Sequence, residues 1–559
     1  MSEFAITLEL GPYQRRVTER LRRWKRERFA RRLWDKDPAL WAQTSSAEIS
    51  DRLGWLELAE RSPGQIPVWS ALRDQVLARG FTSAVLLGMG GSSLAPEVFQ
   101  ATFGNAAGHP QLVVLDSTHP QAVLDTESRL VLERSLFIVS SKSGTTIETV
   151  SLFRYFFDRL SHLVDNPGDH FIAITDPGTV LEKTGRERGF LAVISAPPDV
   201  GGRYSALSAF GLVPACLVGV DLAELLRRAD LLARRCGPDS SDDLSPGLLL
   251  GAALGELALA GRDKLTLLAS PGLESFPRWI EQLVAESTGK NGKGILPVVD
   301  EPLPECVSGD ASVYGGDRVF VHIGLAREPM PDEQILLAAL EAAGHPLIRI
   351  VLDDAADLGA EMYRWEVAVA AACSALGVHP FDQPDVELAK KLARDAMAEQ
   401  QHHAAEPVAA RTRAAQPNTP NQADAMRGEL RRLEEAVRTG DYFSIQAYLA
   451  PDPRISDMLD ELRCSEGRRR GIPTTLGYGP RFLHSTGQLH KGGPDTGIFL
   501  QLVDRPLTDV AVPESDYTFG NLIAAQSLGD YKALLQRGRR VARLDLAASP
   551  GSALRRLTP

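Results

Sequence analysis

Long apolar runs are missing from this 559-residue sequence. The two longest, 209–220 and 248–259, are broken by Gly, Pro or Glu and fall short of the roughly 18 residues a membrane span needs. Cysteine is scarce: Cys216, Cys236, Cys306, Cys373 and Cys464 are scattered, odd in number and without a CxxC pair. That argues against a disulfide framework or a zinc ribbon and fits a reducing compartment. Excess positive charge is also missing. Lys and Arg number 61 against 72 Asp and Glu, a net charge of −11, which argues against a dedicated nucleic-acid binder. No charged-then-apolar leader stands at Met1, so a cytoplasmic location is expected. Basic charge concentrates only at 15–32, with ten Arg and Lys in eighteen residues. Val17, Leu21, Trp24, Phe29 and Leu33 interrupt it, so a solvated helix with one apolar side against the body is expected.

What is present points to a large α/β protein. Hydrophobic residues make up 44% of the chain and charged residues 24%, enough for a sizeable core. At about 150 residues per domain the length implies three to four units. Short Val/Ile/Leu runs at 84–87, 112–115, 136–139, 171–174 and 191–194 read as one series of buried parallel strands. Runs at 265–269, 319–323 and 347–352 form a second. Helical segments between them imply βαβ units in doubly wound sheets. The expected organisation is an N-terminal helical arm at 1–60 and two similar α/β subdomains at 61–236 and 237–401. A linker at 402–425 and a smaller C-terminal α/β unit at 426–559 follow. In that last unit a helix at 427–439 and strands at 443–449, 498–503 and 541–546 are expected.

Four segments carry candidate chemistry. In 85–96 a strand enters Gly88, Gly90 and Gly91, then Ser92 and Ser93, and opens a helix; glycine lets backbone approach a ligand, although tight packing alone explains many such turns. In 140–149 Ser141, Ser143, Thr145, Thr146 and Thr149 crowd a strand-to-helix turn around Lys142. Hydroxyls and free N–H groups at a helix N-terminus make a phosphate cradle, whereas a helix cap needs only one hydroxyl. The P-loop spacing is absent, so a nucleoside triphosphate is not implied. In 201–209 Arg203 lies between a Gly pair and an apolar helix, placed to meet a phosphate, an oxyanion or a neighbouring carbonyl. At 275–287 an apolar stripe of Phe276, Trp279, Ile280, Leu283 and Val284 is bordered by Glu286, in the last turn before Gly289. A partly buried carboxylate there suits a general base; pairing with Lys290 or Lys293 is the alternative.

Together these segments, in this order and with 381–390, resemble the glucose-6-phosphate isomerase family, which is built from two sugar-isomerase (SIS) subdomains. The segment 477–493 resembles the isomerase half of bifunctional transaldolase/glucose-6-phosphate isomerase proteins, so two tandem SIS-type α-β-α sandwiches and no transaldolase activity are expected. The resemblance implies reversible aldose–ketose isomerisation of glucose 6-phosphate and fructose 6-phosphate through a cis-enediolate, in glycolysis and gluconeogenesis. It implies no cofactor and no metal, and a homodimer. Residue by residue, it assigns Ser141, Lys142, Ser143, Thr146 and Thr149 to the phosphate, and Gly91, Ser92 and Gln383 to the sugar. Glu286 becomes the base, Arg203 the cation beside the enediolate, and Lys390 an aid to ring opening. The family's ring-opening histidine segment is not found between Gly294 and His379. His490, or second to it His484, is expected to take that role, because two His and a Lys stand in a Gly-rich loop. A catalytically silent SIS-type sensor of sugar phosphates is the alternative; retention of Glu286, Arg203 and Lys390 weighs against it.

Overall fold

Short apolar runs without alternation leave no polar face, so each strand must be covered on both sides, and parallel sheets between helices do this. The computed structural model describes residues 4–42, 47–240, 245–301, 311–326, 331–403 and 420–557. The N-terminal arm is not wholly helical. It opens with strand β1 (Ile6–Glu9), whose Ile6 and Leu8 pack on the main core. The basic helix Gln14–Glu27 follows, burying Val17, Leu21 and Trp24.

The first sheet contains β2 (Ser83–Gly88), β3 (Gln111–Leu115), β4 (Ser135–Ser140), β5 (Phe171–Thr175) and β6 (Ala192–Ser195). Its order is β3-β2-β4-β5-β6, with every pair parallel. The second contains β7 (Lys264–Ala269), β8 (Leu296–Val298), β9 (Arg318–Leu325) and β10 (Leu347–Leu352). Its order is β1-β10-β9-β7-β8. Only β1 runs antiparallel, pairing Ile6 with Ile350. The third contains β11 (Tyr442–Tyr448), β12 (Thr474–Tyr478), β13 (Gly497–Val503) and β14 (Arg540–Asp545). It is parallel in the order β12-β11-β13-β14 and has a core of its own around Phe443, Ile445, Leu500 and Leu544. Of the expected linker, 404–419 lies outside the described residues; its flanks belong to the helices Pro384–His403 and Pro420–Glu435.

In a doubly wound sheet, ligands bind beyond the carboxyl ends of the strands, where the winding reverses. In the first sheet that point lies between β2 and β4. The turns leaving those strands are the two Gly- and hydroxyl-rich segments singled out above. The third sheet turns its own carboxyl end toward the same place. After β12, Arg481 pairs with Glu97 and lies 3.0 Å from Asp116; after β13, Asp504 lies 3.1 Å from His119. Among the described residues no helix is long and apolar enough to cross a membrane.

Candidate active site

A cavity of about 940 Å³ opens at this switch point. The β4 turn forms one wall, where Lys142, Ser143, Thr145 and Thr146 line the space. Ser141 and Thr149 stand behind them, almost fully buried. Ser141 shapes the turn: its Oγ is 2.9 Å from Thr146 Oγ1 and accepts the Gly144 N–H at 3.2 Å. The hydroxyls are not spent on capping. Thr146 is the N-cap of the helix Ile147–Ser161, yet no side chain caps its N–H groups, so that end stays open to an anion. Lys142 donates to Asp176 at 2.5 Å and to the Pro198 carbonyl at 3.3 Å. Burial lowers the pKa of its ammonium, with Asp176 opposing. Arg52, from the N-terminal arm, also lines the cavity and donates to the Pro198 carbonyl at 2.9 Å.

The opposite wall is the helix Phe276–Thr288. Phe276 and Trp279 stack at 5.6 Å between centroids, and with Ile280, Leu283 and Val284 they are buried. At about 1.5–3 kcal/mol for each large apolar side chain, this stripe fixes which side of the helix faces the space. Gln282 and Glu286, one turn apart, line the cavity. Glu286 Oε1 lies 3.1 Å from Arg203, and Glu286 Oε2 accepts from Gln282 Nε2 at 3.0 Å. Lys290 and Lys293 are committed elsewhere, Lys290 to the His379 carbonyl and Asp382, and Lys293 to the Leu376 carbonyl. Burial and the nearby Arg203 push the Lys290 ammonium down to about 8. Arg203 is 5% exposed and donates to the carbonyls of Pro380, Phe381 and Asp382, each at 3.2 Å. It therefore both ties down a loop and faces the carboxylate, with no freedom to swing away.

Gly91 and Ser92 line the cavity. A Cβ at Gly91 would lie 2.1 Å from the Gly202 carbonyl oxygen, and one at Gly90 2.7 Å from the His484 carbonyl oxygen. Glycine here lets three segments meet: the β2 turn, the Arg203 turn and the loop of the third unit. Gln383 and Lys390, at the start of the helix Pro384–His403, also line the space. Lys390 is half-exposed and pairs with Glu387 at 2.8 Å.

The histidine expectation changes. His490 does not line the cavity. It is 3% exposed, and its ring lies 5.0 Å from Phe499 and 6.0 Å from Phe482. Its Nδ1 meets Gln446 Nε2 at 3.2 Å. Burial and the cations Lys491 and Arg539 hold it well below the ordinary imidazole range. The helix Gly487–Gly492 turns it inward, toward the third sheet. His484, one 3₁₀ turn earlier, is the histidine in the cavity wall, with Nε2 3.0 Å from Glu148 Oε1. Burial opposes the charge on Glu148, but the His484 ring and its hydrogen bond leave the carboxyl below its usual range.

Sequence reasoning missed Glu148, Gln282, Arg52 and Gln526. Glu148 was visible inside the hydroxyl-rich segment, and Gln282 four residues before Glu286 on the same face. Arg52 and Gln526 gave no local signal. One further cluster has the composition of a metal site: Glu48, His379 and Asp382 bring ligand atoms within 4.8 Å of one another. Asp382 Oδ1 is held by Lys290 at 2.8 Å, and His379 Nδ1 accepts the N–H groups of Phe381 and Asp382. The fold has already used Asp382 Oδ1 and His379 Nδ1.

A hydroxyl-lined turn faces a buried carboxylate–guanidinium pair at the switch point of a doubly wound sheet, the arrangement expected of a SIS-type site. The phosphoglucose isomerase model matches residues 75–324. Glucose-6-phosphate isomerase of Rubrobacter xylanophilus is 27% identical over 388 residues, 62% of this chain and 89% of the relative. That of Campylobacter jejuni is 28% identical, over 56% and 84%. Among solved structures, a hypothetical protein from Thermus thermophilus superposes with a TM-score of 0.60 at 25% identity, over 70% of this chain and all of that one. A glucose-6-phosphate isomerase from Chlamydia trachomatis shares the fold, with a TM-score of 0.51 at 21% identity, over 67% of this chain and 78% of that one. Over residues 75–324 the chain is similar to the phosphoglucose isomerase family.

Proposed function

We propose that this protein is a glucose-6-phosphate isomerase, interconverting glucose 6-phosphate and fructose 6-phosphate. The observation that carries the reading is Glu286 held 3.1 Å from Arg203 in the same cavity as the uncapped hydroxyl turn. The phosphate sits on the N–H groups and hydroxyls of 143–146 beside Lys142, with Ser141 shaping the turn from behind and Thr149 buried next to it. Bound there, remote from the reacting carbons, it supplies binding energy for orientation. Gly91, Ser92 and Gln383 border the sugar. His484, with its Nε2–H held by Glu148, accepts the anomeric hydroxyl proton at Nδ1 and delivers it to the ring oxygen as the bond between that oxygen and C1 breaks, which opens the ring, with Lys390 close by. Glu286 then takes the C2 proton of the open aldose and returns it to C1, while Arg203 faces the negative charge of the cis-enediolate.

A silent sensor is not favoured, because binding a phosphate requires neither the Glu286–Arg203 pair nor an imidazole paired with a buried carboxylate. The reading includes a cytoplasmic homodimer acting in glycolysis and gluconeogenesis; the free thiols of Cys216, Cys236, Cys373 and Cys464 suit a reducing compartment. The test is a coupled assay of glucose 6-phosphate formed from fructose 6-phosphate by the purified chain. Turnover is expected. Sugar-phosphate binding without turnover would return the sensor reading.

A further inference from the structure

The family match ends at residue 324, whereas two polar cavity residues, His484 and Gln526, come from the third unit together with Leu483 and Leu522. Gln526 lies in the helix Phe519–Gln536 and is 5% exposed. Its Nε2 donates to Glu148 Oε1 at 2.7 Å, the same oxygen that meets His484 Nε2 at 3.0 Å. Its own Oε1 accepts the Thr118 hydroxyl at 2.7 Å. Thr118 follows β3 and is fully buried. This second bond sets the amide's orientation: with the carbonyl facing Thr118, the amino group must face Glu148.

We propose that Gln526 is a positioning residue for ring opening, acting through Glu148 on His484. The inference rests on the isomerase reading above and extends it. One carboxylate oxygen receives two donors, an amide and an imidazole N–H. The amide donor favours the ionised carboxylate and fixes its rotamer. An ionised, fixed Glu148 in turn holds the imidazole proton on Nε2, leaving Nδ1 as the nitrogen that accepts the anomeric hydroxyl proton and passes it to the ring oxygen. Other charges facing this pair are Asp116, Lys390 and Arg481. Asp116 interacts with both His484 and Arg481, and Lys390 interacts with Glu148. None of these three sets the orientation of the Glu148 carboxylate by a hydrogen bond among the described residues.

The experiment separates ring opening from proton transfer between carbons. Catalysed anomerisation of fructose 6-phosphate is followed by exchange NMR, and isomerisation by the coupled assay. The proteins are wild type, Gln526→Leu, Gln526→Glu and Thr118→Val. Loss of a hydrogen bond to a charged group predicts anomerisation about 10-fold slower in Gln526→Leu, with KM within about 2-fold of wild type and cooperative unfolding retained. Thr118→Val, an isosteric change that frees the amide to turn, predicts a smaller loss in the same direction. Gln526→Glu places two carboxyls against each other. They share a proton at low pH and repel at high pH, so its anomerisation should approach wild type in acid and fall as pH rises. A residue with only a packing role would not produce that profile. Normal anomerisation in Gln526→Leu and Thr118→Val overturns this inference alone. Absence of both activities in the wild type overturns the isomerase reading and this inference with it.

Discussion

Gly91→Ala is the perturbation whose cost can be worked most directly from the structure. The added Cβ would stand 2.1 Å from the Gly202 carbonyl oxygen and 2.4 Å from its carbon. Ordinary contact begins at 3.4 Å, so the two turns must separate by about 1.3 Å. Both obstructing atoms are backbone, one residue from Arg203, so no side chain can rotate to relieve the overlap. Arg203 is anchored on three carbonyls of the 380–382 loop, so separation pulls the guanidinium from Glu286 or moves the loop that carries Gln383. A displacement of about 1 Å in a catalytic constellation costs on the order of 10²-fold in rate. Gly91→Ala should therefore lose about two decades of kcat/KM in the coupled assay while still unfolding cooperatively. Gly64→Ala, where an added Cβ meets nothing within 4 Å, is the control and should stay near wild type. Wild-type activity in Gly91→Ala would refute the claim that the close approach of these turns positions Arg203.

Three further outcomes are expected. His484→Ala should slow ring opening by about 10²-fold or more with little loss of stability. His490→Ala, which opens a cavity among Phe482, Phe499 and Tyr442, should cost about 2–4 kcal/mol of stability and leave the folded enzyme's kcat within a few-fold; the reverse pattern would return the role to His490. Glu366 is completely buried, with no hydrogen-bond partner for either carboxylate oxygen among the described residues, and burial raises its pKa well above the ordinary value. A folded pKa above the unfolded one means stability is greatest below about pH 4 and declines as pH rises toward the folded pKa, by about 1.4 kcal/mol per unit. Glu366→Gln cannot ionise, so its melting temperature should gain on the wild type as pH rises above about 5 and stop gaining beyond the folded pKa; parallel curves would contradict this.

The legible parts of the molecule were those written locally. The runs at 84–87, 136–139 and 171–174 announced themselves because a strand covered on both faces cannot carry polar residues, and β2, β4 and β5 form there. β12 was hidden because Thr474–Tyr478 is short and carries Gly477; β1 was hidden because a four-residue edge strand resembles any extended tail. The same contrast holds at the site. The hydroxyl turn and the Glu286 helix each display their chemistry within ten residues. His484 and His490 differ by six positions in one Gly-rich loop, and only the inward turn of the helix Gly487–Gly492 buries one and leaves the other in the cavity wall. Gln526 lies 378 residues from its partner Glu148, a separation that no local pattern spans.

In the proposed reaction Glu286 moves the proton between C2 and C1. The most direct measurement follows deuterium wash-in at C1 and C2 of the hexose 6-phosphates in heavy water, with wild type and Glu286→Gln. The substitution keeps the shape of the side chain beside Arg203 and Gln282 and removes its basicity. Wash-in and isomerisation should fall together by about 10²–10⁴-fold, with sugar-phosphate binding retained. Wash-in by Glu286→Gln within a few-fold of wild type would contradict the account and assign the proton transfer to another group in the cavity.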